Sequence, residues 1–303
     1  MFVNDSTTIL DGAVRLSIPL LFAASGEYVA ERAGTLNISV EAMMLGGAFG
    51  GAFVASVTGN LALGLVVGAV TGVSIAFIHA NFSHRLSANT FVVGLTLNAL
   101  VLGVTSYLIA GRTLNPWTVT PLSIPVLSGI PIIGQPLFDQ PWPAYLLYGL
   151  VPAIFVVVQR TRWGLEVRSV GEIPQAADVS GVDVNKVRRQ ALLLCGVLSG
   201  VGGAYYSVYH VTTFNANMTA GRGFIVIAAV IFGGWTLRGA VLGCLLFGLA
   251  DALQLNFQAL GYQLNSELLI SAPYLAALLA MTFFAKRNRQ PAALAQPFVR
   301  GLA

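Results

Sequence analysis

The sequence predicts an all-α fold, a polytopic transmembrane helical bundle. Of its 303 residues, 56% are hydrophobic and only 9% are charged, whereas roughly a quarter of the residues in a soluble domain are charged. The mean hydropathy is +0.77, and several apolar runs approach the roughly 20 residues that a spanning helix needs. Backbone groups in lipid must be satisfied by a helix or a closed barrel, and these runs are too continuous for barrel strands, so we expect helices.

Nine apolar segments are candidates for membrane spans. The shortest, residues 223–236, is expected to be a half-helix or a re-entrant piece if it does not cross completely. No basic region precedes the first segment, so we expect that segment to be retained as a span and not cleaved as a signal peptide. The nine candidates are 9–29, 39–57, 60–80, 88–110, 143–160, 190–210, 223–236, 239–257 and 267–285.

The distribution of Lys and Arg predicts the orientation. With nine crossings and the N-terminus outside, 13 basic residues fall at cytoplasmic edges and only Arg112 and Arg222 fall outside, as the positive-inside rule requires. We therefore expect a multi-pass protein of the cytoplasmic (inner) membrane with a cytoplasmic tail, 286–303. The 13 residues are Arg32, Arg85, Arg160, Arg162, Arg168, Lys186, Arg188, Arg189, Arg238, Lys286, Arg287, Arg289 and Arg300.

Residues 111–142 would then form an external loop. This loop is rich in Pro, which interrupts helices, and has Trp117 and Trp142 near its ends. Trp favours the membrane interface. We expect an ordered external cap, or a surface that contacts an external partner.

A weak internal similarity suggests an inverted repeat within a single permease domain, 1–303. The segments "GGAFGGAF" (46–53) and "AVIFGGWT" (229–236) share Phe-Gly-Gly and would cross the membrane in opposite directions. The predicted repeats cover about 9–110 and 190–285, a plan in which transporters place the substrate path between the repeats. Each segment precedes a helix with glycines at four-residue spacing, which allows close helix packing: Gly64, Gly68 and Gly72 in one, Gly239 and Gly243 in the other.

Polar residues within the apolar segments are candidates for a substrate path. Ionisable groups in the membrane are costly and are commonly functional. Asn37 and Glu41 precede or open the second span, Asn98 lies in the fourth and Asp251 in the eighth. The structural alternatives are that Asn37 or Ser39 caps the second helix with Glu41 in its first turn, and that Asn98 and Asp251 form interhelical hydrogen bonds.

The loop 161–189 is unlike the rest of the chain. Residues 159–189 hold 10 of the 28 charged residues. Pro174 can begin a helix, Ala176 and Ala177 favour one, and Gly181 stands where it would end. These residues predict a short exposed helix that docks on a partner, with a solvated linker as the alternative.

Several classes of function lack support in the sequence. An ATP-binding loop of the form G-x-x-x-x-G-K-[ST] is excluded because the two lysines, Lys186 and Lys286, follow Asn and Ala. Cys195 and Cys244 lie in apolar runs without metal-ligand spacing. No catalytic cluster or basic-aromatic arm is found, so we expect neither an enzyme, nor a metal site, nor a nucleic-acid partner.

The polar loop resembles the cytoplasmic loop of ABC-importer permeases. "GLEVRSVGEIPQAADVSGVDV" is similar to their Glu-Ala-Ala-x-x-x-Gly motif, with Gln175 in place of Glu, and to the G-x-x-x-R-x-x-G-x-x-P run of the sugar and nucleoside branch. In that family the motif forms the coupling helix that fits a groove on the ATPase. The resemblance implies the following coupling residues: Gly164, Arg168, Gly171, Glu172, Pro174, Gln175, Ala176, Ala177 and Gly181.

Two further motifs resemble the nucleoside/purine-type permeases of that branch. "GEYVAERAGTLNISVEAMMLGGAF" is similar to their first signature, although Ser39 and Ala42 stand where Gly is usual. "FGGWTLRGAVLGCLLFGLADAL" is similar to their second-half signature. Together the motifs extend the resemblance over residues 20–285.

The resemblance implies a permease subunit of an ATP-driven importer for nucleosides, purines or a related small polar solute. It further implies three partners: a cytoplasmic ABC ATPase, a second permease subunit and an external substrate-binding protein. ATP and Mg would bind the ATPase, with no cofactor in this chain. The alternatives are ribose-type sugars or branched-chain amino acids as solutes, or, in a different class, an ion-coupled secondary transporter.

Overall fold

The computed structural model describes residues 2–259 and 290–300 of the chain, with side chains for 7–255 and 290–300. In this part the protein has eleven α-helices and one two-stranded antiparallel sheet. The helices α3 and α9 each continue into a π-helical turn, Asn81–Arg85 and Tyr206–Val211 respectively. The elements are α1 (Phe2–Arg32), α2 (Val40–Thr58), α3 (Leu61–Ala80), α4 (Thr90–Ile109), β1 (Leu122–Ser123), α5 (Gly134–Phe138), β2 (Asp139–Gln140), α6 (Trp142–Arg160), α7 (Arg162–Glu172), α8 (Pro174–Val179), α9 (Val184–Tyr205), α10 (Arg222–Phe232) and α11 (Leu237–Ala259).

Seven helices in the described ranges are long and apolar enough to cross a membrane. The helix α10 is not one of them, because its 11 residues extend only about 16 Å, half of a hydrocarbon core. The predicted ninth span, 267–285, lies outside the described residues. The helical membrane bundle is therefore confirmed, whereas the count of about nine spans is not. The seven are Thr7–Arg32, Val40–Thr58, Leu61–Arg85, Thr90–Ile109, Trp142–Arg160, Val184–Val211 and Leu237–Leu255.

The helix α9 forms the centre of the bundle, and α1, α2 and α3 pack around it. Glycines allow these helices to approach backbone to backbone. A Cβ atom added at Gly72 would lie 2.1 Å from the carbonyl oxygen of Gly196, and one at Gly68 would lie 2.4 Å from the Cβ of Ala204. At Gly64 the added atom would lie 2.8 Å from the oxygen of Gly51. The predicted packing role of the glycine stripe in α3 is thus confirmed.

The two Phe-Gly-Gly segments differ in conformation. Residues 46–53 are continuous helix within α2. Residues 229–236 instead leave α10 at Phe232 and form a turn in which Gly234 and Trp235 have φ values of 63° and 52°. The turn closes tightly, because a Cβ atom at Gly239 would lie 2.1 Å from the oxygen of Gly233. The shared letters therefore do not mark equivalent backbone positions.

The polar loop is more helical than the sequence predicts. The helix α7 was not predicted, and α9 begins at Val184, six residues before the expected span. The side chain of Asp183 caps α9 by accepting a hydrogen bond from the backbone N–H of Lys186 at 2.9 Å. Hydropathy detects only the apolar part of such a helix, so it places the charged first turns of α9 in the loop. A helix does begin at Pro174, as predicted, and Gly181 follows it with φ 89°.

The segment 110–141 is an ordered cap over one end of the bundle. The indole N–H of Trp117 donates to the carbonyl oxygen of Val208 at 2.8 Å. The indole N–H of Trp142 donates to the hydroxyl of Tyr209 at 3.1 Å. The two tryptophans, one within the cap and one directly after it, therefore hold the cap to the π-helical turn that follows α9.

The opposite end carries Arg32, Arg160 and Arg168 and is called the basic end below. There the tail 290–300 is joined to the helices through Arg188, which is only 1% exposed. The Arg188 Nε donates to the carbonyl oxygen of Ala33 at 3.1 Å, and Nη1 donates to that of Gln296 at 2.7 Å. One guanidinium thus connects the turn after α1, the first turns of α9 and the tail.

Candidate functional site

Two segments enter the bundle from opposite ends and meet at mid-height. We call this meeting place the junction and define it as residues 37–42 and 219–223. The first segment leads into α2 and the second into α10, so the N-termini of both helices lie there. The side-chain amide of Asn37 lies 3.3 Å from the Cys195 sulfur, and Cys195 is near the middle of the span Val184–Val211.

Glu41 joins the two halves of the junction. Its Oε1 accepts hydrogen bonds from the Thr219 hydroxyl at 2.6 Å and from the Gly221 N–H at 2.9 Å. Its Oε2 accepts one from the Gly223 N–H at 2.6 Å. A carboxylate in the first turn of α2 therefore satisfies free N–H groups at the start of α10, where the helix dipole favours negative charge.

Asp251 reaches the junction through Arg222, the first residue of α10. The Arg222 Nη2 and Asp251 Oδ2 atoms are 3.5 Å apart, and each side chain is 19% exposed. The same guanidinium lies over the Tyr206 ring, 4.6 Å from its centroid. The start of α10 is thus held by two carboxylates, Glu41 through the backbone and Asp251 through Arg222.

Asn98 fastens the first segment to α4. Its side-chain oxygen accepts from the Ala42 N–H at 2.9 Å, and its amide donates to the carbonyl oxygen of Ile38 at 3.0 Å. The amide thereby satisfies one acceptor before α2 and one donor in its first turn. This is the interhelical alternative considered from the sequence, and it places Asn98 beside Glu41.

The residues before α2 do not cap it as predicted. Ser39 occupies the N-cap position without a side-chain cap bond. Its hydroxyl donates to the Asn37 side-chain oxygen at 2.8 Å and lies 2.7 Å from His79 Nδ1. The Asn37 amide donates to the Glu27 carboxylate at 3.0 Å. Buried polar partners on α1 and α3 therefore replace the predicted cap.

Two of the four predicted path residues, Asn37 and Glu41, belong to the junction. The other two contact it: Asn98 through Ile38 and Ala42, and Asp251 through Arg222. The residues that sequence reasoning missed are the donors to Glu41, which are Thr219, Gly221 and Gly223. The run "TAGRG" before a short apolar segment was the available signal, because Gly allows the backbone to come close to a ligand or to a side chain. Gly221 has φ 87°, which disfavours other residues.

At the basic end, α7 and α8 divide the predicted coupling residues between two faces. Pro174 and Ala177 are buried against the bundle, whereas Gln175 and Ala176 are exposed. A Cβ atom at Gly171 would lie 2.1 Å from the carbonyl oxygen of Arg32, so that glycine is a packing position. Gly164 packs in the same way on the end of α6.

The charged members of the set stabilise α7. Arg168 Nε donates to the carbonyl oxygen of Gly164 at 3.2 Å. Glu172 lies 3.7 Å from Arg32 and accepts from the backbone N–H of Ala292 in the tail at 3.3 Å. Beyond Glu172, two large apolar side chains are strongly exposed: Ile173 and Val179 are 60% and 89% exposed.

Comparison with known proteins relates this architecture to transport proteins. Residues 9–284 match the family described as the branched-chain amino acid transport system / permease component. The chain is 34% identical to the putative glucose ABC transporter permease protein TsgC13 of Haloferax volcanii, over 96% of this chain and 97% of that protein.

Two bacterial relatives are similarly close. The chain is 34% identical to the nucleoside ABC transporter permease protein NupC of Lactococcus lactis, over 96% of each chain. It is 32% identical to the guanosine ABC transporter permease protein NupQ of Bacillus subtilis, over 97% of each. The chain therefore belongs to this family of ABC-transporter permease components.

Proposed function

We propose that the chain forms the translocation path of an ABC importer for nucleosides, purines or a related small polar solute. The observation that carries the transport mechanism is the junction, where two discontinuous helices meet at mid-height through Glu41. In many transporters, broken helices of this kind form the substrate site near the bilayer midplane. The path is proposed to pass the junction, bounded by Asn37, Glu41, Asn98 and Asp251.

The two segments that enter from opposite ends also support the proposed inverted repeat. The first half would contribute the segment before α2, and the second half the segment before α10. The matched features are then the re-entering segments and not the Phe-Gly-Gly letters. Switching between outward and inward access would move these halves about the junction.

The proposed orientation places the basic end in the cytoplasm. Support comes from the clustering of Arg32, Arg168 and Arg188 at that end, together with the positive-inside rule. The cap 110–141 would then face outside, where a substrate-binding protein would dock. The N-terminus is accordingly proposed to lie outside and the C-terminus inside.

The exposed face of α8 is proposed to dock on a cytoplasmic ATPase, which would bind ATP and Mg. Ile173, Ala176 and Val179 form this face, and their exposure favours an apolar contact with a groove. Ala177 points into the bundle and is only 5% exposed. A charge at Ala177 would therefore test folding, whereas a charge at Val179 tests docking.

Val179→Glu is expected to weaken association with the ATPase at least about tenfold, because docking would desolvate an unpaired carboxylate. Co-purification of the two subunits measures the loss. Val126→Glu is the matched control: Val126 is also 89% exposed, but it lies in the cap at the opposite end. Equal association for parent and Val179→Glu would refute the docking face.

The solute is proposed from the similarity to a nucleoside and a guanosine ABC transporter permease protein. Labelled nucleoside uptake should be measured in cells that produce the chain with its ATPase and binding-protein partners. We expect uptake to require ATPase activity and to be competed by excess unlabelled nucleosides but not by ribose or leucine. Absence of labelled nucleoside uptake, together with ATPase-dependent uptake of labelled ribose, glucose or leucine, would assign the solute to one of those classes.

An ion-coupled secondary transporter is disfavoured by the near full-length similarity to permease proteins of ABC transporters. The same uptake assay separates the two mechanisms. Uptake that continues with an inactive ATPase and stops when the ion gradient is collapsed would contradict the ABC mechanism.

A further inference from the structure

A cavity of about 910 Å³ opens at the basic end of the bundle. Its walls come from the ends of α1, α6 and α7 and from the turn between α10 and α11. No residue of α8 or of the junction is among its lining residues. None of the proposed transport steps uses it.

Among the described residues, every charged side chain that lines this cavity is basic. Arg32, Arg168 and Arg238 contribute to its walls, and no Asp or Glu does. The Nε atom of Arg32 is buried and has no hydrogen-bond partner in the described part of the chain, while its Nη1 atom lies 3.7 Å from Glu172, which is outside the lining. The guanidinium of Arg238 lies over the Phe155 ring at 5.6 Å from the centroid, which leaves its N–H groups available to an anion.

The remaining lining is apolar and continues along spanning helices. Phe155 belongs to α6, and Leu242 and Leu246 belong to α11. Leu242 is 67% exposed and Leu246 is 42% exposed, so this wall opens sideways, toward where lipid would lie. Positive charge at the helix ends next to an open apolar wall matches the headgroup and acyl chains of one phospholipid.

A second cavity at the basic end, about 690 Å³, is less suited to an anion. It is lined by Arg85, Lys186 and Arg189 but also by Asp178 and Asp183. Asp178 already pairs with Arg300 at 3.3 Å. Acidic groups therefore compete for its cations.

We propose that the larger cavity binds the phosphate of an anionic phospholipid of the cytoplasmic leaflet. The three arginines would hold the headgroup, and Phe155, Leu242 and Leu246 would contact the acyl chains. Because Arg168 belongs to α7, which leads into α8, the lipid would brace the proposed docking face against α1 and α11. The choice of leaflet rests on the orientation in the proposed function.

Lipid binding is tested on the purified chain in nanodiscs of phosphatidylcholine with phosphatidylglycerol, without ATPase or solute. The bound phosphatidylglycerol retained per protein is measured by native mass spectrometry. We expect Arg238→Gln to reduce the affinity for phosphatidylglycerol about tenfold, because a charge-assisted contact with phosphate is lost. Arg238→Lys should retain most of the binding, which separates charge from packing.

Arg85→Gln is the matched control, since it removes one positive charge from the smaller cavity. It should retain phosphatidylglycerol like the parent. The assignment would be overturned if Arg85→Gln lost bound phosphatidylglycerol while Arg238→Gln did not. It would also be overturned if the parent chain retained phosphatidylcholine as strongly as phosphatidylglycerol. Displacement of the lipid by excess glycerol phosphate would overturn it in favour of a soluble anion. Since no transport is measured, a failure of the proposed solute or ATPase leaves this result unchanged.

Discussion

Glu41→Ala is expected to lower the free energy of unfolding by about 4 kcal/mol, because three hydrogen-bond donors, two of them buried, lose a charged acceptor. Residue 41 is 7% exposed, and its donors lie 2.6, 2.9 and 2.6 Å away. The start of α10 would lose the group that holds it to α2. The measurement is the unfolding free energy of the purified chain in detergent, with uptake by the assembled transporter beside it.

Glu41→Gln separates shape from charge. The amide keeps one oxygen but presents an NH₂ group to a backbone N–H, so we expect a smaller loss, about 1–3 kcal/mol. Glu166→Ala, in α7 at the basic end, controls for removal of a carboxylate and should change stability by less than about 0.5 kcal/mol. If Glu41→Ala and Glu166→Ala lower the free energy of unfolding equally, Glu41 does not hold the junction together.

Gly72→Ala is expected to destabilise the bundle by about 3 kcal/mol, because a single methyl group would force α3 away from α9. The new carbon would lie 2.1 Å from the Gly196 carbonyl oxygen and 2.8 Å from the Gly200 Cα. Both neighbours are backbone atoms within a helix, so neither can move alone. Thermal unfolding in detergent, followed by loss of the monodisperse species, measures the effect.

Gly103→Ala is the opposite case in the helix α4. An added carbon there meets nothing within 4 Å, so only helix propensity changes, and we expect about 0.5–1 kcal/mol of stabilisation. The two substitutions are chemically identical and are expected to differ in sign. Equal effects would mean that close backbone contact at Gly72 does not determine stability.

The helical bundle was predictable because lipid imposes one strong rule on the sequence. Long apolar runs must form helices in lipid. Glycines at four-residue spacing in such a helix, as in α3, are expected to face a neighbouring helix, because they allow the two backbones to pack closely. Both expectations depend on local composition. They are met at Gly64, Gly68 and Gly72, where no knowledge of the partner helix was needed.

The junction was only partly predictable, because its bonds connect distant parts of the chain. Glu41 was identified as an unusual carboxylate, but its partner Thr219 is 178 residues away. Local rules assigned the nearby polar groups to a helix cap. In the structure, Ser39 instead turns toward Asn37 and His79, since buried polar groups on other helices compete with the local cap.

The polar loop shows a different limit of prediction from hydropathy. Hydropathy separates membrane from water, but it does not distinguish a polar helix from a polar coil. The helix α7 and the first turns of α9 are set by amphipathic packing and by the Asp183 cap. The buried positions of Pro174 and Ala177 follow from that packing, so the sequence motif alone did not indicate which residues remain free to dock.

The Arg188 contact has a consequence for biosynthesis. The chain is made from its N-terminus, so Ala33 is available to Arg188 long before Gln296, which follows it by 108 residues. Until the tail is translated, one half of this guanidinium lacks its carbonyl partner, and Ala293 has not yet bonded to Gly171 in α7. The basic end is therefore completed last. A chain that still lacks residues 293–296 would therefore present the proposed docking face of α8 before the tail supports α7 beside it.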